Sequence, residues 1–285
     1  MWFWTPCASD ILLPVPAALV ASGLLPLGKA EGALHARVTF VKREMGPPNL
    51  QRIGGKMKKF DKDFIKEMKD KLDVEMIGVA SVETSASKEL KEKATSLLPG
   101  ARSVIVMGKE IYKEVVSLLK PSKQAGEAES GELMGAHADY LSGRLNRAIH
   151  ELASLLRQEG YRSLPLPAVG PTDQRYLTAL FSYKHAAQLA GLGSIGRHSL
   201  LMTPEFGPRE RLACLLTEAS LEPSPVAHRD YCLNCDACIR ECPAQALQVP
   251  KPGEAYSMNK FACRTYRQAG LTCSICMKVC DEVIG

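Results

Sequence analysis

This sequence of 285 residues is informative first for what it does not contain. Its formal charge is only +5 and it has no arginine-rich run, which argues against the basic surface of a nucleic-acid-binding domain. It has no internal repeat apart from two groups of cysteines, and no motif for flavin, haem or molybdenum. One uncharged stretch, 11–27, is too short and too rich in proline for a membrane-spanning helix, and no twin-arginine pair precedes it. We therefore expect a cytoplasmic protein without a membrane segment.

The first 56 residues differ from the rest because they show no periodic pattern. Gly54 and Gly55 stand just before Met57, and their codons can read GGAGG, which resembles a bacterial ribosome-binding site. We therefore expect the natural chain to start at Met57. Residues 1–56 would then be a disordered leader or an upstream reading frame that was wrongly included.

Cysteine is the residue type whose distribution says most. The chain has ten, and most of them lie between Cys232 and Cys280. A disulfide framework suits short secreted domains, whereas local clustering in a long chain favours metal ligation in a reducing compartment. The stretch "CLNCDACIRECP" follows C-x2-C-x2-C-x3-C-P, the four-iron run of bacterial ferredoxins. A structural zinc site would use two CxxC pairs and has no need of the C-x3-C-P ending.

The later cysteines complete the ligands for a second cluster. Cys263 stands alone, and "CSICMKVC" contributes three more. In the bacterial run the fourth cysteine binds the other cluster. The first cluster is thus predicted to take Cys232, Cys235, Cys238 and Cys280, and the second to take Cys242, Cys263, Cys273 and Cys276. Asp281 stands where a proline is expected, Cys7 is left over, and Cys214 is expected to lie in the core.

From Met57 onward, hydrophobic periodicity indicates alternating helices and strands. Buried strands are predicted over 75–82, 103–108, 199–203 and 211–218, and helices over 61–73, 87–100, 109–120, 139–161 and most of 174–190. This alternation predicts an α/β fold with a largely parallel sheet. The segment 221–225 contains two prolines and is expected to be a hinge. An α/β domain, 57–222, would then precede a cysteine domain, 223–285.

A glycine run precedes the cysteine region. In "AGLGSIGRHSLL", Gly191, Gly193 and Gly196 have the G-x-G-x-x-G spacing of a dinucleotide-binding turn. That turn needs a strand before it and a helix after it. Here a helical pattern precedes the glycines, and Pro204 follows too soon for a phosphate-binding helix. Two interpretations remain: the backbone approaches a ligand or a neighbouring chain closely, or the glycines form a tight helix-to-strand turn.

The glycine and cysteine motifs together resemble the shared core of epoxyqueuosine reductases and corrinoid reductive dehalogenases. The similarity is carried by "KHAAQLAGLGSIGRHSLLMTPEFGPRERLACLLTEASLEPSP" and "YCLNCDACIRECPAQAL", and it extends weakly back to about residue 60. Arg197, the stretch 203–208 and Arg211 match the dehalogenases. The resemblance implies a nitroreductase-like, cobalamin-binding α/β domain followed by a bacterial-ferredoxin-like domain with two [4Fe–4S] clusters. The residues that it places against the cobalamin are Gly191, Leu192, Gly193, Gly196, Arg197, His198 and Ser199.

The sequence departs from both families in places that bear on function. The D-Y-H triplet that carries the proton donor of the reductases is Asp139-Tyr140-Leu141 here. The resemblance therefore makes Asp139 and Tyr140 the candidate catalytic residues. Alternatively, Asp139 caps the N-terminus of a helix and Tyr140 makes an amphipathic contact in its first turn. No D-x-H-x-x-G motif is present, so a bound cobalt is expected to lack a histidine on its lower face.

These observations predict a reductase with two clusters. Electrons from a low-potential donor, such as a ferredoxin or a flavodoxin, would pass through both clusters to a corrinoid that reduces a small-molecule or nucleoside substrate. The helical-repeat extension that contacts tRNA in epoxyqueuosine reductases does not follow Cys280, so tRNA is expected to be a less favoured partner. Two alternatives stay open: a ferredoxin-type electron donor, or an activator that reduces the corrinoid of another protein.

Overall fold

The computed structural model describes residues 61–85, 87–120, 129–226, 229–269 and 273–285. The predictions about the leader, the start at Met57 and the leftover Cys7 lie outside these residues. The described residues belong to one compact unit, Lys56–Gly285. Within the described ranges, no helix has the length and apolar character that crossing a bilayer requires.

Helices and short strands alternate along the described chain. The helices are α1 (Lys62–Lys71), α2 (Lys88–Leu97), α3 (Lys113–Ser117), α4 (Glu129–Gln158), α5 (Tyr183–Leu189), α6 (Ala237–Arg240), α7 (Lys260–Gln268) and α8 (Ile275–Ile284). The strands are β1 (Met76–Ser81), β2 (Ser103–Glu110), β3 (Ser163–Leu166), β4 (Thr172–Asp173), β5 (Thr178–Ala179), β6 (Ser194–Ile195), β7 (Leu201–Met202), β8 (Glu210–Thr217), β9 (Leu247–Gln248) and β10 (Ser257–Met258).

The main sheet has four strands in the order β1-β2-β8-β3, and every neighbouring pair is antiparallel. The prediction of a largely parallel sheet is therefore wrong. Ser81 at the end of β1 pairs with Ser103 at the start of β2, so the segment 82–102 returns to the same end of the sheet. A helix between two strands fits such a wide hairpin as well as it fits a crossover, and sequence alternation does not distinguish them.

The two faces of the sheet are covered by different helices. On one face α4 buries the stripe that its sequence predicts: Leu141, Leu145, Ile149, Leu152 and Leu156. α1 adds Phe64 and Met68 to the same core. On the other face α2 and α5 pack around Cys214 of β8, which is fully buried among apolar side chains as expected. Burial of both faces accounts for the continuous apolar runs of β2 and β8.

Two predicted helices are shorter than their patterns indicate. In 109–120, residues 109 and 110 extend β2 and pair with Arg211 and Glu210, so the helix is limited to Lys113–Ser117. In 174–190, Thr178 and Ala179 instead pair with β4, and α5 begins only at Tyr183. In both cases strand pairing overrides a weak helical preference, with the distant β8 in the first and with the neighbouring β4 in the second.

The predicted hinge at 221–225 is attached to the sheet. Leu221 is buried, and the Ser224 N–H donates to the Val79 carbonyl at the outer edge of β1. The Val79 N–H in turn donates to Ser224 Oγ at 3.0 Å. These bonds fix the path of the chain from the sheet to the cysteine region.

The last helix, α8, is held to the sheet by buried charges. Arg209 Nε donates to Asp281 Oδ1 at 2.5 Å, and both residues are buried. The same guanidinium donates through Nη1 to Glu110 at the end of β2. On the neighbouring turn of α8, Lys278 Nζ donates to the Leu119 carbonyl at 2.8 Å. Asp281, which replaces the proline of the ferredoxin pattern, thus anchors the helix that carries the last cysteines.

Replacement of Asp281 by Ala should destabilise the protein by about 3 kcal/mol, because it leaves the buried charge of Arg209 with only one carboxylate partner. Glu282→Ala is the matched control: it removes an exposed ion pair to Lys278 on the same helix, which should cost less than about 1 kcal/mol. Urea denaturation followed by circular dichroism measures both. Equal stability of the two variants would contradict the anchoring role of Asp281.

Gly143→Ala should stabilise the protein by about 0.5–1 kcal/mol, because Gly143 lies inside α4 with open space at its Cβ position. Gly78→Ala should have the opposite effect. A Cβ on Gly78 would stand 2.6 Å from the Ala190 carbonyl oxygen, at the contact between β1 and the end of α5. The same denaturation experiment compares the two variants, and a stabilising Gly78→Ala would show that this contact is looser than described.

Candidate functional site

The glycine run forms the end of α5 and the start of a short hairpin. The Gly191 N–H donates to the Gln188 carbonyl and the Leu192 N–H to the Ala187 carbonyl, while Gly191 has a φ of 75°. This is a Schellman cap, for which glycine is favoured because of its positive φ. β6 and β7 follow with no helix between them. The expectation that the run is not a dinucleotide-binding turn is confirmed, and so is the helix-to-strand turn.

The space freed by the missing glycine side chains is filled by this chain itself. A Cβ on Gly191 would meet the Pro225 carbonyl, and one on Gly193 would meet the Met202 carbonyl. A Cβ on Gly196 would lie 2.8 Å from Cε1 of His198. The three glycines therefore allow close packing within the protein, and they do not open a cradle for a cofactor.

The hairpin attaches the first cysteine run to the sheet. The buried Ser194 hydroxyl accepts from the Tyr231 N–H at 2.9 Å and donates to Asp230 Oδ1 at 3.3 Å. Arg197 forms an ion pair with Asp236, between the second and third cysteines of the run. Both contacts come from the stretch that the resemblance assigns to cobalamin binding, and neither contact is visible in the spacing of the motif.

Four cysteines gather around one enclosed cavity. The cavity is lined by Cys242, Cys263, Cys273 and Cys276, together with side chains that include His198 and Tyr266. Burial raises the pKa of the Cys276 thiol to about 12, and the thiols of Cys273 and Cys263 contribute to the rise. This set is the one predicted for the second cluster, and we call it the inner group.

The other four cysteines form a second group that ranges from the buried Cys238 to the exposed Cys235. Burial, and after it the thiols of Cys232 and Cys235, raises the pKa of the Cys238 thiol to about 11. Burial and the same three thiols raise the pKa of Cys280 to about 12. Cys235 is exposed, whereas none of the inner group is. This outer group is the set predicted for the first cluster.

The donor chemistry of both groups fits [4Fe–4S] clusters. Each group offers four sulfur atoms, and thiolates are the ligands of four-iron clusters. Within the described ranges, no three His, Cys, Asp or Glu side chains converge on a position for a single metal ion. The backbone of the first cysteine run is also compatible with its residues. Asn234 and Asp236 have φ values of 55° and 57°, a left-handed conformation that Asn and Asp tolerate better than most residues.

Asp139 lies in the middle of α4 and faces a buried arginine. The helix begins ten residues earlier, at Glu129, so the alternative that Asp139 is an N-terminal cap is wrong. Arg211 Nε donates to the Ser142 hydroxyl at 3.2 Å, and Ser142 lies one turn after Asp139 on the same face. Burial lowers the pKa of Arg211, and the charge of Asp139 partly offsets this.

Arg267 connects this pair with the inner group. It lies four residues after Cys263 on α7 and therefore on the same face of the helix. Burial raises the pKa of the Cys263 thiol, and the charge of Arg267 opposes that rise. Arg267 also lowers the pKa of Arg211. The charge of Arg267 thus acts both on Cys263 of the inner group and on Arg211, with which Asp139 interacts.

Tyr140 is placed differently from its neighbour. Its side chain is 62% exposed, and it lies in the middle of α4 instead of in the first turn. The Tyr140 hydroxyl accepts from Arg144 Nη1 at 3.0 Å, and Arg144 pairs with Asp73. The structure therefore brings Asp139, but not Tyr140, to Arg211.

The remaining predicted cofactor residues contact the protein itself. Leu192 packs in the core beneath α5. Ser199, at a φ of 68°, accepts from the buried Lys184 through both its carbonyl and its hydroxyl, at 2.8 and 2.9 Å. Lys184 Nζ also lies 4.0 Å from the centroid of the Tyr256 ring, and burial lowers the pKa of this lysine to about 8.

One open cavity does border the glycine run. It has a volume of about 520 Å³ and is lined by Gly193, Ser194, Arg197 and Cys232, among others. This is the size of a site for a drug-sized ligand, and a corrinoid is larger than such a ligand. Of the residues predicted to contact cobalamin, only Gly193 and Arg197 line this cavity.

Comparison with known proteins identifies homologues in two enzyme groups. A tetrachloroethene reductive dehalogenase of Desulfitobacterium hafniense is 27% identical over 187 residues, which are 59% of this chain and 32% of the relative. An epoxyqueuosine reductase of Gloeobacter violaceus is 30% identical over 161 residues, 54% of this chain and 44% of the relative. The chain thus spans about a third to under half of the length of these relatives. No protein-family model matches it.

Comparison of the fold with solved structures also identifies a reductive dehalogenase. A solved reductive dehalogenase, described in connection with B12-dependent dehalogenation, superposes with a TM-score of 0.52 and 21% sequence identity, covering 80% of this chain and 33% of the other. The mixed helix and sheet architecture is therefore that of reductive dehalogenases. The sequence matches confirm the resemblance: the chain has homologues among both reductive dehalogenases and epoxyqueuosine reductases, and its fold is consistent with the superfamily that they share.

Proposed function

We propose that this protein is an iron–sulfur oxidoreductase that passes electrons through two [4Fe–4S] clusters to a reductive site beside Asp139 and Arg211. The observation that carries the proposal is the separation of eight cysteines into an outer and an inner group of four. A nitroreductase-like domain, 57–222, would hold the site, and a ferredoxin-like domain, 223–285, would hold the clusters. A reducing compartment such as the cytoplasm suits eight ligating thiols.

The positions of the two groups favour one direction of electron flow. The outer group includes the exposed Cys235, where a ferredoxin or flavodoxin can come close. The charge of Arg267 acts on Cys263 of the inner group and on Arg211, which interacts with Asp139. Electrons entering at the outer cluster would therefore reach the inner cluster before the substrate. Each cluster carries one electron, so the pair stores the two electrons of a single reduction.

Asp139 is the residue best placed to supply the proton. The named relatives remove chlorine from carbon or reduce an epoxide, and both reactions consume two electrons and at least one proton. Asp139 is exposed, as a donor to an incoming substrate must be. The guanidinium of Arg211, which donates to Ser142 one turn along α4, interacts electrostatically with the Asp139 side chain. The substrate would be a small halogenated or oxygenated molecule, or a nucleoside free or within tRNA.

A corrinoid remains the proposed electron acceptor, supported by homology to the dehalogenases and not by the glycine run. When bound, it would supply a cobalt centre that can be reduced to a strong nucleophile. The open cavity lined by Gly193 and Arg197 borders Cys232 of the outer group and includes neither Asp139 nor Arg211, so it is not the reductive site proposed above. Gly193→Val cannot test corrinoid binding, because the added side chain would collide with the Met202 carbonyl whether or not a corrinoid binds.

The exposed Cys235 also fits the alternative of an electron-transfer protein without substrate chemistry of its own. Such a protein, or an activator of another protein's corrinoid, would exchange electrons at the same surface. Only the reductase needs Asp139. Turnover by the isolated protein, loaded with clusters and cobalamin, therefore separates these functions.

The isolated protein should bind about eight irons and eight sulfides per chain after anaerobic reconstitution. Cys242→Ser should lose about half of this iron, since it removes one ligand of the inner group. Cys214→Ser is the matched control: this thiol is buried in the sheet core and belongs to neither group. Iron and sulfide analysis measures all three proteins. Stoichiometric zinc with negligible iron, or a Cys242→Ser variant with full iron, would contradict the cluster assignment.

Asp139→Asn should lower turnover by roughly a hundredfold or more, because it removes the proton and keeps the shape of the side chain. Glu151→Gln, an exposed change on the same helix, should leave turnover unchanged. The assay uses titanium(III)-reduced protein with cobalamin, and a chlorinated alkene and an epoxide as test substrates. Full activity of Asp139→Asn, with loss of activity in Tyr140→Phe, would transfer the role to Tyr140.

A further inference from the structure

We propose that His198 and Met202 form a bridge between the two cluster sites and set their reduction potentials. The inference rests on the proposed function, since it requires that both cysteine groups hold clusters. It assigns these two side chains a role as positioning residues within the electron path. The resemblance had instead placed His198 against a corrinoid.

The two side chains occupy the junction between the inner and the outer group. The thioether sulfur of Met202 lies 3.6 Å from Cys280 Sγ, a member of the outer group. The same sulfur lies 3.2 Å from Nε2 of His198. His198 in turn lines the cavity formed by the four inner cysteines. A continuous contact thus runs from one predicted cluster to the other through one thioether and one imidazole.

The imidazole is held in a defined orientation. The Leu200 N–H donates to Nδ1 of His198 at 3.0 Å, so Nδ1 is an acceptor and the proton of the neutral ring lies on Nε2. Nε2 faces the Met202 sulfur, which is only a weak acceptor. His198 is 3% exposed, and burial lowers its pKa to about 4, which keeps the ring neutral. The bridge therefore presents a fixed N–H dipole in a dry environment.

The surrounding hairpin is shaped to accommodate this pair. Gly196 leaves room for the imidazole, since a Cβ there would lie 2.8 Å from Cε1 of the ring. Gly193 lets the backbone pack on the Met202 carbonyl. Two of the three glycines in the run thus serve the placement of His198 and Met202. This contact explains their spacing without a bound nucleotide or corrinoid.

The bridge has a physical effect on an adjacent cluster. Hydrogen bonds toward sulfur and exclusion of solvent are two of the means by which a protein sets the potential of an iron–sulfur cluster. An N–H dipole pointing toward the junction stabilises the additional negative charge of a reduced cluster. Removal of the His198 N–H should therefore make reduction of the cluster harder. Removal of the Met202 sulfur leaves that N–H free to point at the cluster and should make its reduction easier.

Redox titration of the reconstituted protein, monitored by electron paramagnetic resonance, tests the proposal. His198→Phe should shift the midpoint potential of the outer cluster, whose ligand Cys280 contacts Met202, to a more negative value, because the N–H that points toward it through the Met202 sulfur is lost. His198→Gln retains an N–H donor and should restore a value near that of the wild type. Met202→Leu, which keeps the side-chain volume, should shift the same potential in the opposite direction to His198→Phe. His150→Phe, on the exposed face of α4, is the control and should change neither potential.

Iron analysis of the wild type comes first and separates the two hypotheses. If the wild-type protein does not hold about eight irons, the proposed function fails and the bridge fails with it. If it holds them and His198→Phe keeps both wild-type potentials at full iron content, the bridge alone is wrong. Should His198→Phe be unable to retain clusters, Met202→Leu decides: an unchanged potential overturns the proposal, and the predicted shift supports it.

Discussion

The packing of the β6–β7 hairpin between the sheet and the cysteine region is the contact on which the rest of the structure depends. The hairpin starts at the Schellman cap of α5, so its direction is set by a helix that packs on the sheet. Ser194 and Arg197 then hold the outer cysteine run from one side. His198 and Met202 reach the junction of the two cysteine groups from the other. A displaced hairpin would therefore disturb both groups at once.

The second constraint is the position of α8. Cys276 and Cys280 lie one turn apart on this helix, yet they belong to different groups. A small rotation or shift of α8 would misplace a cysteine of each group. The buried pair of Arg209 with Asp281 prevents such a shift, and it connects the helix to the end of β2. In the ferredoxin pattern this position is a proline, which could not accept these hydrogen bonds.

The residues of the proposed site come from both the sheet and the cysteine region. Asp139 and Arg211 project from α4 and β8, while the inner cysteines and Arg267 approach from the C-terminal segment. The outer group contains the exposed Cys235, the inner group lines a cavity, and the Asp139 side chain is exposed.

The sequence by itself determined the elements whose signal is local. The leucine stripe of α4, the buried strands β1, β2 and β8, and the core position of Cys214 follow from hydrophobic periodicity, which reports burial directly. The division of the eight cysteines followed from a spacing rule that reflects how four-iron clusters are ligated. The start of α4, which carries Asp139, was not predicted, and the limits of α3 and α5 were not predicted because pairing with β8 and with β4 takes part of their segments into strands.

Only the tertiary structure decided the sheet direction and the purpose of the glycine run. Alternation of helices and strands is the same for a wide hairpin and for a crossover, so the antiparallel order depends on which distant strands pair. A glycine leaves room for a neighbour without specifying it: here the neighbours are Pro225, Met202 and His198. The pairs of Arg209 with Asp281 and of Arg211 with Ser142 join residues about 70 positions apart. Such contacts leave no periodic pattern in a single sequence, because their geometry exists only after the chain has folded.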